Sequence, residues 1–240
     1  MIQEVAPPLA GRVLSAQRWS NLTFLHWPVE PESVREFLPA GVAPDVFDGF
    51  TYVGLVPFRM RKAGPGGRLP IPYLGEFCET NVRLYSVDEK GRSGIVFRTL
   101  EAERLATVLL ARWSLGLPYT WAKMRATHVD DLLRYRTTRR WPRSGGRRPG
   151  GQITVRVGGP VEPTPLEVWL TARWGLHTRL AGRTLWVPNE HGPWPLHSAE
   201  LLGLQDELVS GVGVRIAGAM LRPLFSPGVR TTFGLPSVVR

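Results

Sequence analysis

The chain predicts an α+β fold built mainly of antiparallel strands, a curved sheet or barrel with helices packed outside. Three observations lead there. With 26 Gly and 22 Pro in 240 residues, the backbone is punctuated too often for a helical bundle. Hydrophobic residues make up 43% of the chain, and nine Trp with nine Phe can fill one large core. Period-two or short apolar runs fill about ten segments, while helical spacing occurs in two or three.

Taken in order, residues 19–27 (WSNLTFLHW) read as a strand closed by Pro28. Residues 31–38 read as a short helix: Pro31 and Glu32 open it, Val34, Phe37 and Leu38 share a face, and Pro39 with Gly41 stop it. Asp48-Gly49 signals a turn before a strand over 51–61. Residues 64–72 form a Gly/Pro loop long enough for a lid or rim. A strand over 79–85 precedes the turn Asp88-Glu89-Lys90-Gly91, with its hairpin partner over 93–100. Residues 103–115 form the clearest helix, with Leu105, Val108, Leu109, Arg112 and Trp113 along one side and Gly116 and Pro118 ending it. Residues 119–126 alternate as a strand, placing Tyr119, Trp121, Lys123 and Arg125 on one face. Further strands are expected over 132–138 and 152–157. A second helix over 165–173 starts with Thr164 as N-cap and Pro165 at its first position. Ala181-Gly182 joins the last predicted hairpin, 176–180 with 183–187. No repeat or linker divides the chain, so residues 1–240 read as one domain.

The formal charge is +10, and only Lys62, Lys90 and Lys123 of the 30 basic residues are lysines. A basic surface favours anionic ligands and non-specific nucleic-acid contact. Part of the excess gathers in an Arg/Gly-rich loop near 139–151, which reads as solvated because no nucleic-acid-binding motif accompanies it. A single cysteine excludes an intramolecular disulfide and multi-cysteine zinc sites, and Cys78 reads as a small core residue. No signal peptide opens the chain, and Arg215 and Arg222 interrupt its most apolar late stretch. A cytoplasmic protein without membrane contact is expected; nothing in the sequence indicates its oligomeric state.

Most familiar chemistries lack their residues. There is no GxSxG elbow, P-loop, GxGxxG fingerprint or HExxH pair, so no cofactor or metal is expected. His191 and His197 bracket Gly-Pro-Trp-Pro-Leu, whose prolines forbid regular pairing of the two rings. Glu76 and Glu79 would face opposite sides of a strand unless the chain bulges. The strand at 79–85 is more informative. Glu79, Asn81, Arg83 and Tyr85 lie on one face, which suits either a solvated surface or the wall of a polar cavity. Glu79 and Arg83 are the natural ion pair on that face.

Several ordered blocks carry a resemblance: residues 24–29 (FLHWPV), 37–41 (FLPAG), 47–49 (FDG), 53–58 (VGLVPF), 79–83 (ETNVR), 117–119 (LPY), 191–196 (HGPWPL) and 225–229 (FSPGV). The chain resembles the YqjF-like family of uncharacterised bacterial proteins over about 18–235. That family is similar in fold to acetoacetate decarboxylase, which implies a cone-shaped, mostly antiparallel β-barrel with a cavity and peripheral helices. The resemblance turns the polar face of 79–85 into a cavity wall. It also implies a departure. The decarboxylase forms a Schiff base on a lysine in a Gly-aromatic-Pro-Lys-Lys segment. The counterpart here is Gly116-Leu117-Pro118-Tyr119-Thr120, without either lysine.

The expectation is therefore a cavity protein that binds a small organic ligand, a carboxylate or enolic compound. Arg83 would hold an anionic group, Glu79 would orient Arg83 or move a proton, and Asn81 and Tyr119 would supply hydrogen bonds. His191, Trp194 and His197 would form a second wall. Two alternatives stand beside it: a structural or interaction module that binds nucleic acid through the Arg-rich segment, and a decarboxylase acting through Lys123.

Overall fold

The computed structural model describes residues 4–66, 71–143 and 145–239. Residues 67–70 of the expected Gly/Pro loop lie outside the described residues. Strand dominates. Among the described residues thirteen strands join in one mixed sheet, in the order β13-β10-β9-β5-β6-β7-β8-β11-β12-β1-β3-β4-β2. The long members are β1 (Val13–Val29), β3 (Thr51–Pro65), β4 (Phe77–Asp88), β5 (Ser93–Ala102), β6 (Tyr119–Val129), β7 (Leu132–Trp141), β8 (Gly150–Pro160), β10 (Arg183–His191), β11 (His197–Asp206) and β12 (Leu224–Gly234). The shorter ones are β2 (Val42–Pro44), β9 (Gly175–Leu180) and β13 (Ser237–Val238). Additional pairings of β4 with β5 and of β10 with β12 fold the sheet back on itself.

Most pairings are antiparallel, as expected, but β5 runs parallel to both β6 and β9. Parallel neighbours need a crossover, and helix α2 (Leu105–Leu115) makes the one from β5 to β6. Its apolar stripe departs from expectation. Val108 is buried, whereas Leu109 and Trp113 are 49% and 82% exposed. The helix touches the sheet along a narrow line, so one apolar row suffices and the rest faces outward.

The predicted turns hold where their φ angles matter. Asp48 and Gly49 (φ 48° and 85°) and Ala181 and Gly182 (φ 48° and 78°) occupy the left-handed region that two-residue hairpins require. The first predicted helix is a single α-turn, α1 (Pro31–Val34), followed by a 3₁₀ turn through Phe37. The second, α3 (Pro165–Thr171), begins with the predicted Thr164 cap.

Strand alternation distributes the core over two faces. Leu22, Phe24, Val56, Phe58 and Tyr85 belong to one buried cluster, with Trp169 and Leu170 of α3 and Val187 of β10. Leu25, Leu55, Val82 and Leu84 belong to the other, with Leu133, Tyr135, Ile153 and Val155 of β7 and β8. β1, β3 and β4 thus form a wall buried on both sides, which explains why their residues read as continuous apolar runs.

Candidate functional site

The polar face of β4 is turned inward. Glu79, Asn81, Arg83 and Tyr85 are all buried, with Glu79 3% exposed and Arg83 8%. Their neighbours are the residues of the first cluster, since Phe58 pairs with Glu79, Val56 with Asn81 and Gly54 with Arg83. Gly54 makes room for Arg83: a Cβ there would lie 3.3 Å from its Cγ and 3.0 Å from the His26 ring.

Glu79 and Arg83 do not pair. Four residues along a strand separate them by about 13 Å, too far for their side chains to meet while each reaches sideways. Glu79 instead accepts a hydrogen bond from the Tyr119 hydroxyl at 2.8 Å, and the Asn81 side chain also bonds its carboxyl. Burial dominates these bonds and pushes the Glu79 pKa up to about 8. The carboxyl is therefore mainly protonated at neutral pH. Burial and the adjoining carboxyl also hold the Tyr119 pKa well above its usual value.

Arg83 points toward the C-terminal half of α3. Its Nε donates to the Tyr85 hydroxyl at 3.2 Å and its Nη2 to the Leu170 carbonyl at 3.3 Å. Tyr85 also bonds the Leu170 carbonyl, at 3.1 Å, and His26 Nε2, at 2.6 Å. His26 is held well below its ordinary pKa, first by burial and then by Arg83 and Arg173. A second guanidinium, Arg173, donates to the Trp169 carbonyl at 2.8 Å, lies over the Trp169 ring and is paired with Asp45. Arg83 has no such carboxylate: among the described residues none comes within 4.0 Å of it.

Helix α3 positions these acceptors, and a reciprocal cap holds its start. The Thr164 side chain accepts from the Glu167 N–H while Glu167 accepts from the Thr164 N–H. Arg222 then grips Glu167 through two bonds of 2.9 and 2.7 Å, tying the helix to the segment before β12.

Opposite Arg83 stand aromatic rings. Phe24 lies 5.6 Å from the Arg83 guanidinium and meets Trp194 edge-on at 5.2 Å. Trp194 stacks on Trp19 and lies 5.0 Å from His191, which in turn lies 4.6 Å from Trp174. Of the expected second wall, His191 and Trp194 come together and His197 does not. His197 sits against Phe225, a residue of the other cluster, and bonds the Gly158 carbonyl.

Several buried polar atoms on the first-cluster side have no hydrogen-bond partner among the described residues: Asn81 Oδ1, Trp19 Nε1, Arg173 Nη2, Asn189 Oδ1 and Thr231 Oγ1. Thr231 lies opposite His191 in the β10–β12 register, and Asn189 opposite Phe233, which packs on Trp19. Each such orphaned buried polar group is costly to leave without a partner.

Tyr119 and Thr120, the positions that correspond by resemblance to the decarboxylase lysines, face opposite sides of β6. Tyr119 bonds Glu79; Thr120 bonds Glu101, a fully buried carboxylate on the other side. Glu101 is also gripped by Arg139 through a salt bridge, so Arg139 belongs to the interior rather than to the Arg-rich loop. Lys123 lies farther along β6 and is exposed. Glu76 is exposed and accepts the Lys62 N–H, well apart from Glu79 in role. Cys78 is buried, which raises its thiol pKa to about 12. Among the described residues no three His, Cys, Asp or Glu side chains gather to hold a metal ion, and no helix is long and apolar enough to cross a membrane.

Sequence reasoning missed His26, Asp45 and Arg173. His26 stands two residues from Phe24 on an alternating strand, a usable signal. Nothing local ties Asp45 to Arg173, which are 128 residues apart.

This double-faced sheet with its inward polar strand is a decarboxylase-like α+β fold. The chain superposes on acetoacetate decarboxylase from Legionella pneumophila with a TM-score of 0.65 and 14% identity, covering 98% of this chain and 92% of that one. It superposes on the enduracididine biosynthesis enzyme MppR complexed with pyruvate with a TM-score of 0.63 and 15% identity, covering 98% and 92%. At these identities the likeness is one of fold. The family is narrower: residues 16–230 match the model of DUF2071, described as an uncharacterized conserved protein, and the chain belongs to that family. It is 29% identical over 190 residues to the uncharacterized protein YqjF of Bacillus subtilis, covering 79% of this chain and 78% of YqjF.

Proposed function

We propose that this protein binds a small organic carboxylate between the polar face of β4 and the Trp19–Trp194–His191 side. The observation that carries this reading is Arg83, a buried guanidinium whose hydrogen-bond partners are a phenol and a carbonyl. A buried charge without a counter-charge is expensive, and a carboxylate ligand would supply one in bidentate geometry. The neighbouring groups agree in sign. Arg173 is balanced by Asp45, and burial keeps Glu79 mainly protonated and His26 neutral. The site thus carries about one net positive charge, complementary to a monoanion.

Glu79 and Asn81 would hydrogen-bond oxygens next to the carboxylate, as in a keto or enolic acid. A carboxyl with a pKa near 8 also suits proton transfer at such a ligand. The solved neighbour with pyruvate supports the ligand class. The doubled-back strand pairings support reading the fold as the cone-shaped barrel that the resemblance implies. Lysine chemistry has no part in this reading: an imine-forming amine is activated by desolvation or a cationic neighbour in a closed site, and Lys123 faces solvent.

Calorimetric titration with pyruvate and acetoacetate, against the corresponding neutral amides, tests the proposal. The carboxylates should bind, the amides should bind at least tenfold more weakly, and Arg83→Gln should erase the difference. Equal affinity for acids and amides would overturn the reading. Borohydride treatment in the presence of acetoacetate should leave Lys123 unmodified on mass mapping; an adduct there would restore the imine route.

A further inference from the structure

The outer face of the β6–β7 hairpin carries cations that the ligand site does not use. Along β7, Leu133, Tyr135 and Thr137 are buried, so Arg134 and Arg136 project from the opposite face, and both are exposed. On β6 Ala122 is buried while Lys123 and Arg125 are exposed. The register sets Arg125 directly opposite Arg136, Thr127 opposite Arg134 and Lys123 opposite Thr138. Opposite residues on adjacent strands lie about 5 Å apart, and alternate residues along a strand about 6.7 Å. Four of six neighbouring positions on this face therefore carry positive charge, with Arg125 and Arg136 directly opposed.

Among the described residues no carboxylate pairs with any of the four. At this end of the sheet Asp131 and Glu200 both go to Arg156, and Asp130 in the β6–β7 turn forms no ion pair among the described residues. Like charges directly opposite one another destabilise a sheet, so the face is arranged against its own stability. An anionic partner would remove that conflict. The side chains between and beside the cations are mostly polar, Thr127, Thr138, and Gln152 and Thr154 in register on β8, with the exposed Val129 at the hairpin end. A membrane-binding face would interleave apolar groups there. Two residues before Lys123 on the same strand face, the partly exposed Trp121 carries the Arg140 guanidinium 4.9 Å from its ring.

We propose that this face binds single-stranded nucleic acid. The four cations take successive phosphates, and the Trp121–Arg140 stack offers a platform for a base. A single strand fits better than a duplex, because a broad sheet face enters neither groove but accommodates unstacked bases. This surface is distinct from the Arg/Gly-rich loop, where Arg147 is already paired with Glu207 and Arg139 is turned inward.

Fluorescence anisotropy with labelled oligo(U) and oligo(dT), over about 50–200 mM salt, tests it. Wild-type protein should bind, with affinity falling steeply as salt rises; the two probes reveal whether the sugar matters, and binding of either supports the proposal. Replacing Lys123, Arg125, Arg134 and Arg136 together by Ala should weaken binding more than tenfold and reduce the log–log salt slope by roughly 3. The Arg143→Ala/Arg148→Ala protein should keep its affinity. Equal loss in the loop variant, or binding to phosphatidylserine vesicles without binding to either oligonucleotide, would overturn the proposal. Arg136→Thr checks the charge argument without any ligand: its melting temperature at low salt should rise, and a fall would show the guanidinium to be a structural contact.

Discussion

Glu79 and Arg83 share a face of β4 yet play separate parts, because the strand spaces them beyond reach of one another. Their titration and stability should separate accordingly. The Glu79 pKa is raised from an ordinary carboxylate value to about 8, so the folded state holds a proton that the unfolded state releases. Stability attributable to this group is complete below about pH 4.5 and declines as pH rises toward 8. Glu79→Gln should flatten that decline, which urea unfolding across this range would reveal as a relative gain of a few kcal/mol near pH 8. The two buried arginines predict opposite outcomes. Asp45→Asn strands the Arg173 guanidinium and should cost about 3 kcal/mol or more, whereas Arg83→Met removes an unbalanced charge and should leave stability unchanged or improved. Chemical denaturation of the two variants side by side makes the comparison.

At the scale of elements, α3 and the α2–β6 connection set the geometry of the site. α3 supplies the Leu170 carbonyl shared by Arg83 and Tyr85, and its start depends on the Thr164–Glu167 cap. Thr164→Ala should lower stability by about 1 kcal/mol in thermal unfolding, and it should weaken carboxylate binding through looser placement of that carbonyl. Gly116 ends α2 with φ 65°, and a Cβ there would lie 2.1 Å from the Arg179 carbonyl oxygen. Gly116→Ala must therefore displace β9 or the turn that delivers Tyr119. We expect a severe loss of soluble, cooperatively folding protein, measurable by circular dichroism melting. Both positions were marked in the sequence, Thr164 by its place before Pro165 at the helix start and Gly116 by its place after a helical run. The exposed stripe of α2 was not, since periodicity reports an apolar face and is silent on what covers it.

For the whole molecule, the central consequence is linkage between ligand and fold. The orphaned polar atoms and Arg83 belong to four strands, β1, β4, β10 and β12, and to Arg173 just after α3, so a carboxylate that satisfied them would tie both sides of the site together. At a concentration 100 times its Kd, such a ligand should add about 2.7 kcal/mol to unfolding stability, and Arg83→Gln should abolish the gain. Thermal shift titration with pyruvate provides the measurement.

The sequence by itself determined β1 and β3 to β10, though not β2, β11, β12 or β13, together with the two capped helices, the glycine turns and the alternating face Glu79-Asn81-Arg83-Tyr85. These follow from period, steric φ limits and capping, all local quantities. Resemblance extended the reading to a decarboxylase-like fold lacking the usual lysines. Only the tertiary structure decided that the polar face is buried, that Glu79 bonds Tyr119 across 40 residues rather than Arg83, and that His197 parts from His191. It also set Arg125 of β6 directly opposite Arg136 of β7. The reason is physical: periodicity establishes which side chains share a face, while desolvation, pairing and charge balance depend on which distant strand covers it.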